Sequence, residues 1–144
     1  MSVSHEIKKT AVIVSVGTAV TIDYVSFDQK NNQYTFEGGV ILPGLHLTKN
    51  ALANNTADLK NSEGVVQMPP INTANAIESG FVLSVLGNIK SLFDLASSES
   101  QDVAIILSGG DAELIDQHMD KSLKKYISIK KDLVLEGLFV FANI

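Results

Sequence analysis

Residues 10–42 read TAVIVSVGTAVTIDYVSFDQKNNQYTFEGGVIL. β-Branched and aromatic residues are frequent in three runs within this stretch, at 10–16, 19–27 and 33–42. A glycine-threonine pair separates the first two runs, and the polar residues 28–32 separate the second from the third. Runs of this composition predict strands, and such short connections predict that neighbouring strands pair antiparallel. The stretch therefore predicts a three-stranded antiparallel meander.

Two features of the predicted strands need their own explanation. Gly38 and Gly39 lie inside the third strand. Glycine has no side chain to pack, so a glycine pair in a strand indicates a β-bulge or the close approach of another backbone. Asp23 lies within the second strand, and we interpret it as an outward-facing structural residue.

Beyond the meander, helical and strand patterns alternate along the chain. The sequence predicts helices at 45–54, 73–96, 112–119 and from 132 to the C-terminus, strands at 103–107 and 126–129, and a polar loop at 55–71. The strand at 103–107 is continuously apolar, which is typical of a buried parallel position. This order predicts a ribonuclease H-like α/β domain, the half-unit of the actin-like ATPase and sugar kinase superfamily.

The long helix predicted at 73–96 carries two distinct stripes. Apolar residues recur three or four positions apart at Ile77, Phe81, Val85, Ile89, Leu92 and Ala96, and small residues form a second ridge at Gly80, Ser84, Gly87 and Ser91. The apolar stripe predicts a face against the core. A ridge of small residues allows another helix to approach closely. Two interpretations of the ridge stay open, which are burial inside the domain and a contact between subunits.

The composition limits the class of protein. With 144 residues, 45% of them hydrophobic, the chain fits one globular domain over 1–144. Its 11 basic and 16 acidic residues give a net charge of −5, which argues against nucleic acid or a membrane as the main partner. The absence of cysteine excludes disulfides and thiolate zinc sites. The polar residues 1–9 do not resemble a signal peptide, so we expect a cytoplasmic protein.

Two turns are candidate ligand sites. Gly17 lets a backbone N–H point outward and Thr18 adds a hydroxyl donor, so this turn is able to hold a phosphate, although many hairpins contain such a pair. Gly109 and Gly110 follow the buried strand at 103–107. Ligands bind at the carboxyl ends of such strands, and glycines allow a flat ring to lie against the backbone. The alternative is a plain strand-to-helix turn that ends at a helix cap, Asp111.

Other polar residues give weaker signals. Asn72 and Thr73 are suited to cap the long helix or to face a ligand. His5, His46 and His118 have no triad or metal-ligand spacing around them, so we interpret them as structural or surface residues and predict no metal site. The sequence contains no Walker A, HExxH or Ser-His-Asp pattern, which argues against hydrolases of those types.

Five motifs become specific when they are taken together. In chain order they are GTAVTID (17–23), GGVILPGL (38–45) with LTKNALANNTADL (47–59), NTANAIESG (72–80), SGGDA (108–112) and DLVLEGL (132–138). This series closely resembles the C-terminal domain of the type III pantothenate kinases, a family that includes proteins named Bvg accessory factors. The resemblance covers residues 10–141.

The resemblance implies an activity and several site residues. The activity is phosphorylation of pantothenate with ATP and Mg²⁺, the first step of coenzyme A synthesis, on a two-domain actin-like fold. Thr18, in the turn with Gly17, is implied to contact the ATP phosphates, and Gly109 and Gly110 to border the adenosine. Thr73 is implied to contact pantothenate in an active site across a dimer interface. The resemblance does not identify a catalytic residue in this chain, so the catalytic residues stay unknown.

Two departures from the family pattern change these expectations. The family's Asp-x-Gly-Asn-Thr phosphate loop and its Gly-x-Asp-Arg segment with the general base are both missing here. Phosphoryl transfer needs that apparatus, so we expect one subunit of a split kinase, a heterodimer or larger oligomer whose partner chain carries the other half. Ser15 stands where the family has an aspartate that holds K⁺ or NH₄⁺. Hard cations prefer carboxylates to a neutral hydroxyl, which weakens the expectation of that cation.

Two alternatives to a split kinase stay open. One is a non-catalytic, degenerate relative that serves regulation or assembly, and the missing base and Ser15 favour it. The other is a transcriptional accessory factor that contacts DNA, by analogy with the second family name. The acidic composition argues against direct DNA contact.

Overall fold

A computed structural model describes residues 8–56 and 63–133 of the chain. A five-stranded sheet with the order β3-β2-β1-β4-β5 runs through it. The strands are β1 Thr10–Val16, β2 Ala19–Asp28, β3 Gln33–Pro43, β4 Val103–Ser108 and β5 Ile127–Ile129. β1 pairs antiparallel with β2 and β2 with β3, whereas β1 pairs parallel with β4 and β4 with β5. The predicted meander is confirmed, with β2 and β3 each one residue longer than expected.

The glycine pair in β3 accounts for an irregularity in the sheet. Tyr24 pairs with Gly38 and the next residue of β2 pairs with Phe36, which leaves Glu37 as the extra residue of a bulge. Gly38 has φ +133°, a conformation that side chains disfavour. At Gly39 an added Cβ would overlap the backbone carbonyl oxygen of Ile22 as well as the Asp23 carboxylate. Both predicted reasons for the glycine pair, a bulge and a close approach, are therefore confirmed.

Three α-helices and one short 3₁₀ helix complete the described chain. They are α1 Leu45–Asn55, α2 Thr73–Glu99, α3 Ala112–Gln117 and the 3₁₀ helix Lys124–Tyr126. The Asn72 side chain caps α2 by accepting a hydrogen bond of 2.9 Å from the Asn75 N–H, as predicted. α3 ends two residues before the predicted end. The helix predicted from 132 lies outside the described residues beyond 133.

One face of the sheet and the inner face of α2 form the main core. Its fully shielded members include Val12, Val14, Val16, Val20, Ile22, Val82, Val85, Ile89, Ile105, Leu107 and Ile115. Alternate residues of each strand point to one face, so the neighbours of these valines in β1 point to the other side. There Ala11, Ala104 and Ile106 form a second cluster against which Ile13 and Leu133 pack.

The two stripes of α2 have different surroundings. Phe81, Val85, Ile89 and Ala96 of the apolar stripe are buried, as predicted, whereas Ile77 and Leu92 are half-buried. All four members of the small-residue ridge are exposed. The interpretation of the ridge as buried inside the domain is therefore wrong for the described chain, because α2 turns only its other face to the sheet. A subunit contact along the ridge stays a prediction.

By length and composition alone, α2 is apolar enough to cross a membrane, with a mean hydropathy of 1.2 over its best window. Its inner face packs against the sheet through Val82, Val85 and Ile89, each of which has no exposed surface. The core helix of a globular domain meets the same criterion of length and composition. This packing accounts for the apolar residues on the inner face of α2, whereas Leu83 and Leu95 are exposed.

Candidate nucleotide and substrate site

The parallel pairing of β1 with β4 brings two predicted turns together. Ser15 pairs with Ser108, so both strands end at the same edge of the sheet. The turn at 17–18 follows β1 and the turn at 109–110 follows β4. The carboxyl ends of parallel strands are the usual position of ligands in α/β domains.

Gly109 permits the contact between these turns. Its φ is +98°, and an added Cβ would overlap the carbonyl oxygen of Val16. The Asp111 N–H donates a hydrogen bond of 3.1 Å to that same oxygen. Asp111 stands at the N-cap position of α3, as the alternative interpretation of this turn expected, although its side chain makes no capping hydrogen bond. The backbone of this turn is therefore tied to the end of β1.

A third segment closes on the first turn from the other side. The Gly44 N–H donates a hydrogen bond of 2.9 Å to the Thr18 carbonyl, and a Cβ at Gly44 would overlap the Gly17 carbonyl oxygen. Thr18 itself is exposed, and its hydroxyl has no hydrogen-bond partner among residues 8–56 and 63–133. We call residues 17–18, 43–44 and 109–110 the turn cluster. It holds the Thr18 backbone in place and leaves the hydroxyl available as a donor.

Thr73 lies in a different place, at the first residue of α2. It lines a cavity of about 560 Å³ between α1, α2 and the end of β3, which we call the α1–α2 cavity. Leu42, Pro43, Thr48, Leu52 and Ile77 are among its other lining residues. The lining is mostly apolar, with a few hydroxyl groups, so it suits a small ligand with an aliphatic body.

The α1–α2 cavity adjoins the turn cluster. Pro43 lines the cavity and pairs in register with Ala19, which directly follows Thr18. The structure therefore unites Gly17 and Thr18 with the turn at 109–110 in one cluster. It places Thr73 in the neighbouring cavity, so the sequence-predicted residues occupy two adjacent parts of one edge.

A second cavity, of about 380 Å³, lies on the other side of the turn at 109–110. Its lining includes Gly109, Gly110, Glu113, Ile129, Lys130 and Lys131. The last four were not predicted as site residues. A signal was available, because 130–131 follow a parallel strand, as the 109–110 turn does, and Glu113 begins the helix after that turn.

Comparison with known proteins decides the family. A sequence profile described as type III pantothenate kinase matches residues 1–95. The chain belongs to the type III pantothenate kinase family. A type III pantothenate kinase of Azoarcus sp. (strain BH72) is 35% identical over an alignment of 134 positions, which covers 90% of this chain and 46% of that protein. One of Thermosipho africanus is 35% identical over an alignment of 153 positions, which covers 98% of this chain and 54% of that protein. The chain spans about half the length of these relatives.

Solved structures agree on the fold. A Campylobacter jejuni protein described as a Baf-family transcriptional activator matches with a TM-score of 0.65 and 22% identity over 97% of this chain and 60% of its own. The archaeal actin homologue Ta0583 matches with a TM-score of 0.57 and 14% identity over 94% of this chain and 49% of its own. At these identities the likeness concerns the fold alone. It confirms the predicted actin-like α/β fold.

The structure also places the two serines at the ends of β1 and β4 and two of the three histidines. Ser15 and Ser108 are register partners in parallel strands, so their hydroxyl groups lie on the same face of the sheet. His46 is exposed, and the Nδ1 atom of His118 lies 3.0 Å from the carbonyl oxygen of Leu114. His5 lies outside the described residues. In the described ranges no three His, Asp or Glu side chains are grouped to hold a metal ion.

Asp23 is a partly buried carboxylate in the middle of β2 with a shifted pKa. It pairs with Ile13 and Gly39, so it lies on the face away from α2. Burial raises the pKa of its carboxyl group above the usual value. No hydrogen bond or ion pair compensates this charge in the part of the chain that the structure describes. Its position is away from the turn cluster, which agrees with a structural role.

Proposed function

We propose that this chain is the nucleotide-gripping C-terminal half of a type III pantothenate kinase. In this proposal it phosphorylates pantothenate with ATP in coenzyme A synthesis. A partner chain supplies the Asp-x-Gly-Asn-Thr loop and the general base. The family membership supports the activity, and the coverage of about half of each relative supports the need for a second half.

The observation that carries the proposal is the turn cluster. Two glycine turns from parallel strands meet at one edge, and an exposed hydroxyl at Thr18 has no partner in the described chain. Backbone N–H groups and a hydroxyl are the donors that bind phosphate oxygens. The cavity beyond Gly110 extends from the same turn, in a position suited to the adenosine.

The chemistry divides between the two chains. The hydroxyl oxygen of pantothenate attacks the γ-phosphorus of ATP, the bond to the β,γ-bridging oxygen breaks, and ADP leaves. The base of the partner chain accepts the hydroxyl proton. Thr18 would donate to the phosphates, and Thr73 would contact pantothenate in the α1–α2 cavity. The described residues offer no cluster of metal ligands, so Mg²⁺ would be held by the ATP phosphates and by the partner.

The test is reconstitution of the activity. The chain is purified together with its candidate partner, and phosphorylation of pantothenate by ATP is measured with the mixture and with each chain alone. We expect turnover only in the mixture. Thr18→Ala should lower kcat by about 100-fold, because it removes a donor that acts on charge developing in the transition state.

Thr35→Ala is the matched control for Thr18→Ala. Thr35 is also an exposed threonine of the meander, but it lies on β3 opposite Ser26, towards the other end of the strands. Its loss should leave kcat unchanged. A complex that forms but shows no turnover at any K⁺ or NH₄⁺ concentration would overturn the proposal.

A second candidate function is that of a non-catalytic relative in regulation or assembly. Ser15 favours it, because a neutral hydroxyl stands where the family has a carboxylate. Its register partner in β4, Ser108, also offers only a neutral hydroxyl. This function predicts a stable complex with the partner chain and no turnover. A cytoplasmic location, an oligomeric assembly and the absence of nucleic acid or membrane partners belong to both proposals.

A further inference from the structure

Helix α1 has few stabilising contacts of its own. None of its residues is fully buried. Its N-cap residue is Gly44, which has no side chain to cap the helix. Its first turn has no acidic residue and its last turn no basic residue, so the helix dipole is not compensated. The position of α1 therefore depends on contacts with the rest of the domain.

One shielded ion pair connects α1 to α2. Lys49 Nζ lies 2.7 Å from Glu78 Oε2, and the two side chains are only 14% and 11% exposed. Oε2 has no accessible surface and makes no well-aligned hydrogen bond, so Lys49 is its close charge partner within the described chain. Solvent screens such a pair far less than an exposed one. Lys90 and Asp94 on α2 form an exposed pair for comparison, at 53% and 56%.

The α2 side of this connection is firmly held. Ser79, next to Glu78, has no exposed surface, and its hydroxyl accepts a hydrogen bond of 2.9 Å from the Gln67 N–H. Val82, one turn further along, is fully shielded in the core. The ion pair therefore attaches a weakly held helix to a well-packed one.

The ion pair also adjoins the α1–α2 cavity. Thr48 on α1 and Ile77 on α2, the sequence neighbours of Lys49 and Glu78, both line that cavity. Leu52, one turn beyond Lys49, lines it as well. A shift of α1 away from α2 would therefore widen the cavity directly.

We propose that the Lys49–Glu78 ion pair positions α1 as a wall of the α1–α2 cavity and so sets the affinity of that cavity for the alcohol substrate. Lys49 and Glu78 are positioning residues in this account and not catalytic ones. The statement about affinity rests on the proposed function. The statement about the position of α1 does not.

Hydrogen exchange on the chain alone tests the positioning role. In Glu78→Gln and in Lys49→Met, the amides of α1 should exchange on the order of tenfold faster than in the wild type. The amides of β1 and β4 should keep their wild-type rates, which shows that the domain remains folded. Lys49→Arg, which keeps the charge, should restore slow exchange in α1.

Asp94→Asn is the matched control, because it breaks an exposed ion pair on the same helix. It should leave α1 exchange unchanged, since exposed pairs contribute little. Wild-type exchange of α1 in both Glu78→Gln and Lys49→Met would overturn the proposal. Equal acceleration in α1, β1 and β4 would also overturn it, because the pair would then stabilise the whole domain and not one wall.

Kinetics of the reconstituted enzyme test the role in affinity. Glu78→Gln should raise the KM for pantothenate about tenfold and leave the KM for ATP unchanged, because Lys49 and Glu78 flank the cavity and neither belongs to the turn cluster. Faster α1 exchange with an unchanged KM for pantothenate would overturn the link to the substrate. If the wild-type mixture has no turnover, the proposed function fails, and hydrogen exchange still decides whether the pair positions α1.

Discussion

The turn cluster and the α1–α2 cavity differ in how their parts are held together. In the turn cluster, backbone meets backbone, and Gly44 and Gly109 stand where any side chain would overlap a neighbouring carbonyl. In the cavity, side chains of two helices face each other, and the wall formed by α1 contains no buried residue. Backbone contacts tolerate almost no added volume, whereas side chains can change rotamer. The turn cluster is therefore rigid, and the α1–α2 cavity is adjustable.

The largest effect is expected from Gly109→Ala, which tests the rigid region. Alanine at φ +98° is strained, and its Cβ would overlap the Val16 carbonyl. We expect the free energy of unfolding to fall by about 3 kcal/mol, measured by urea denaturation. Gly110→Ala is the control, because no atom lies within 4 Å of an added Cβ there. Equal losses in both variants would contradict the account of the turn cluster.

A smaller effect on the free energy of unfolding is expected from alanine at Gly44 in the turn cluster and at Gly80 beside the α1–α2 cavity, with opposite signs. Gly44→Ala places a Cβ against the Gly17 and Thr18 carbonyls and should lower the free energy of unfolding by about 2 kcal/mol. Gly80→Ala adds a methyl group in open space on α2, at the edge of the cavity. It should raise the free energy of unfolding by about 0.5–1 kcal/mol, since alanine favours helix. Thermal unfolding of both variants checks the opposite signs.

The smallest effect on stability is expected at Asp23. Its carboxylate lies close to Gly39, where an added Cβ would overlap it. Burial raises the pKa of Asp23, so the ionised form is disfavoured in the folded state. Its contribution to stability is then present below the unfolded pKa of 3.8 and is lost as pH rises through the folded pKa.

Asp23→Asn should therefore raise the free energy of unfolding at pH 7 by about 0.5 kcal/mol or less, and should make no difference near pH 3. Urea denaturation at the two pH values measures this. A variant that is less stable than the wild type at pH 7 would show that the Asp23 charge has a stabilising partner. Such a result would mean that a polar contact to Asp23 stabilises the outer face of the sheet.

Local patterns were the reliable part of the sequence analysis. The glycine pair in β3 predicted the bulge, and Asn72 predicted the cap of α2, because both depend on backbone conformation within a few residues. Asp111 occupies the N-cap position of α3, as one interpretation of this turn expected, but its side chain makes no capping hydrogen bond. Its N–H instead donates a hydrogen bond to the carbonyl oxygen of Val16, a residue of β1 that lies far earlier in the chain.

Residues brought together by packing were mostly missed. Glu113, Ile129 and Lys131 line the second cavity, yet none of them belongs to a motif. Lys49 and Glu78 lie on different helices, and nothing in the helical periodicity indicates that their side chains meet. Their contact depends on the angle and distance between α1 and α2, which many side chains set together.

The sequence by itself determined the order of elements, the meander, the family and the residues of the two glycine turns. The elements and turns follow from strand periodicity, turn residues and caps, which act over a few neighbouring positions. The family follows from the resemblance of the five motifs. Only the tertiary structure decided that Gly44 closes on the turn of Thr18, that the ridge of α2 is exposed, and that Lys49 meets Glu78. Each of these depends on the antiparallel register of β2 with β3 or on the packing of helices, and so on contacts between residues that are not neighbours in the chain.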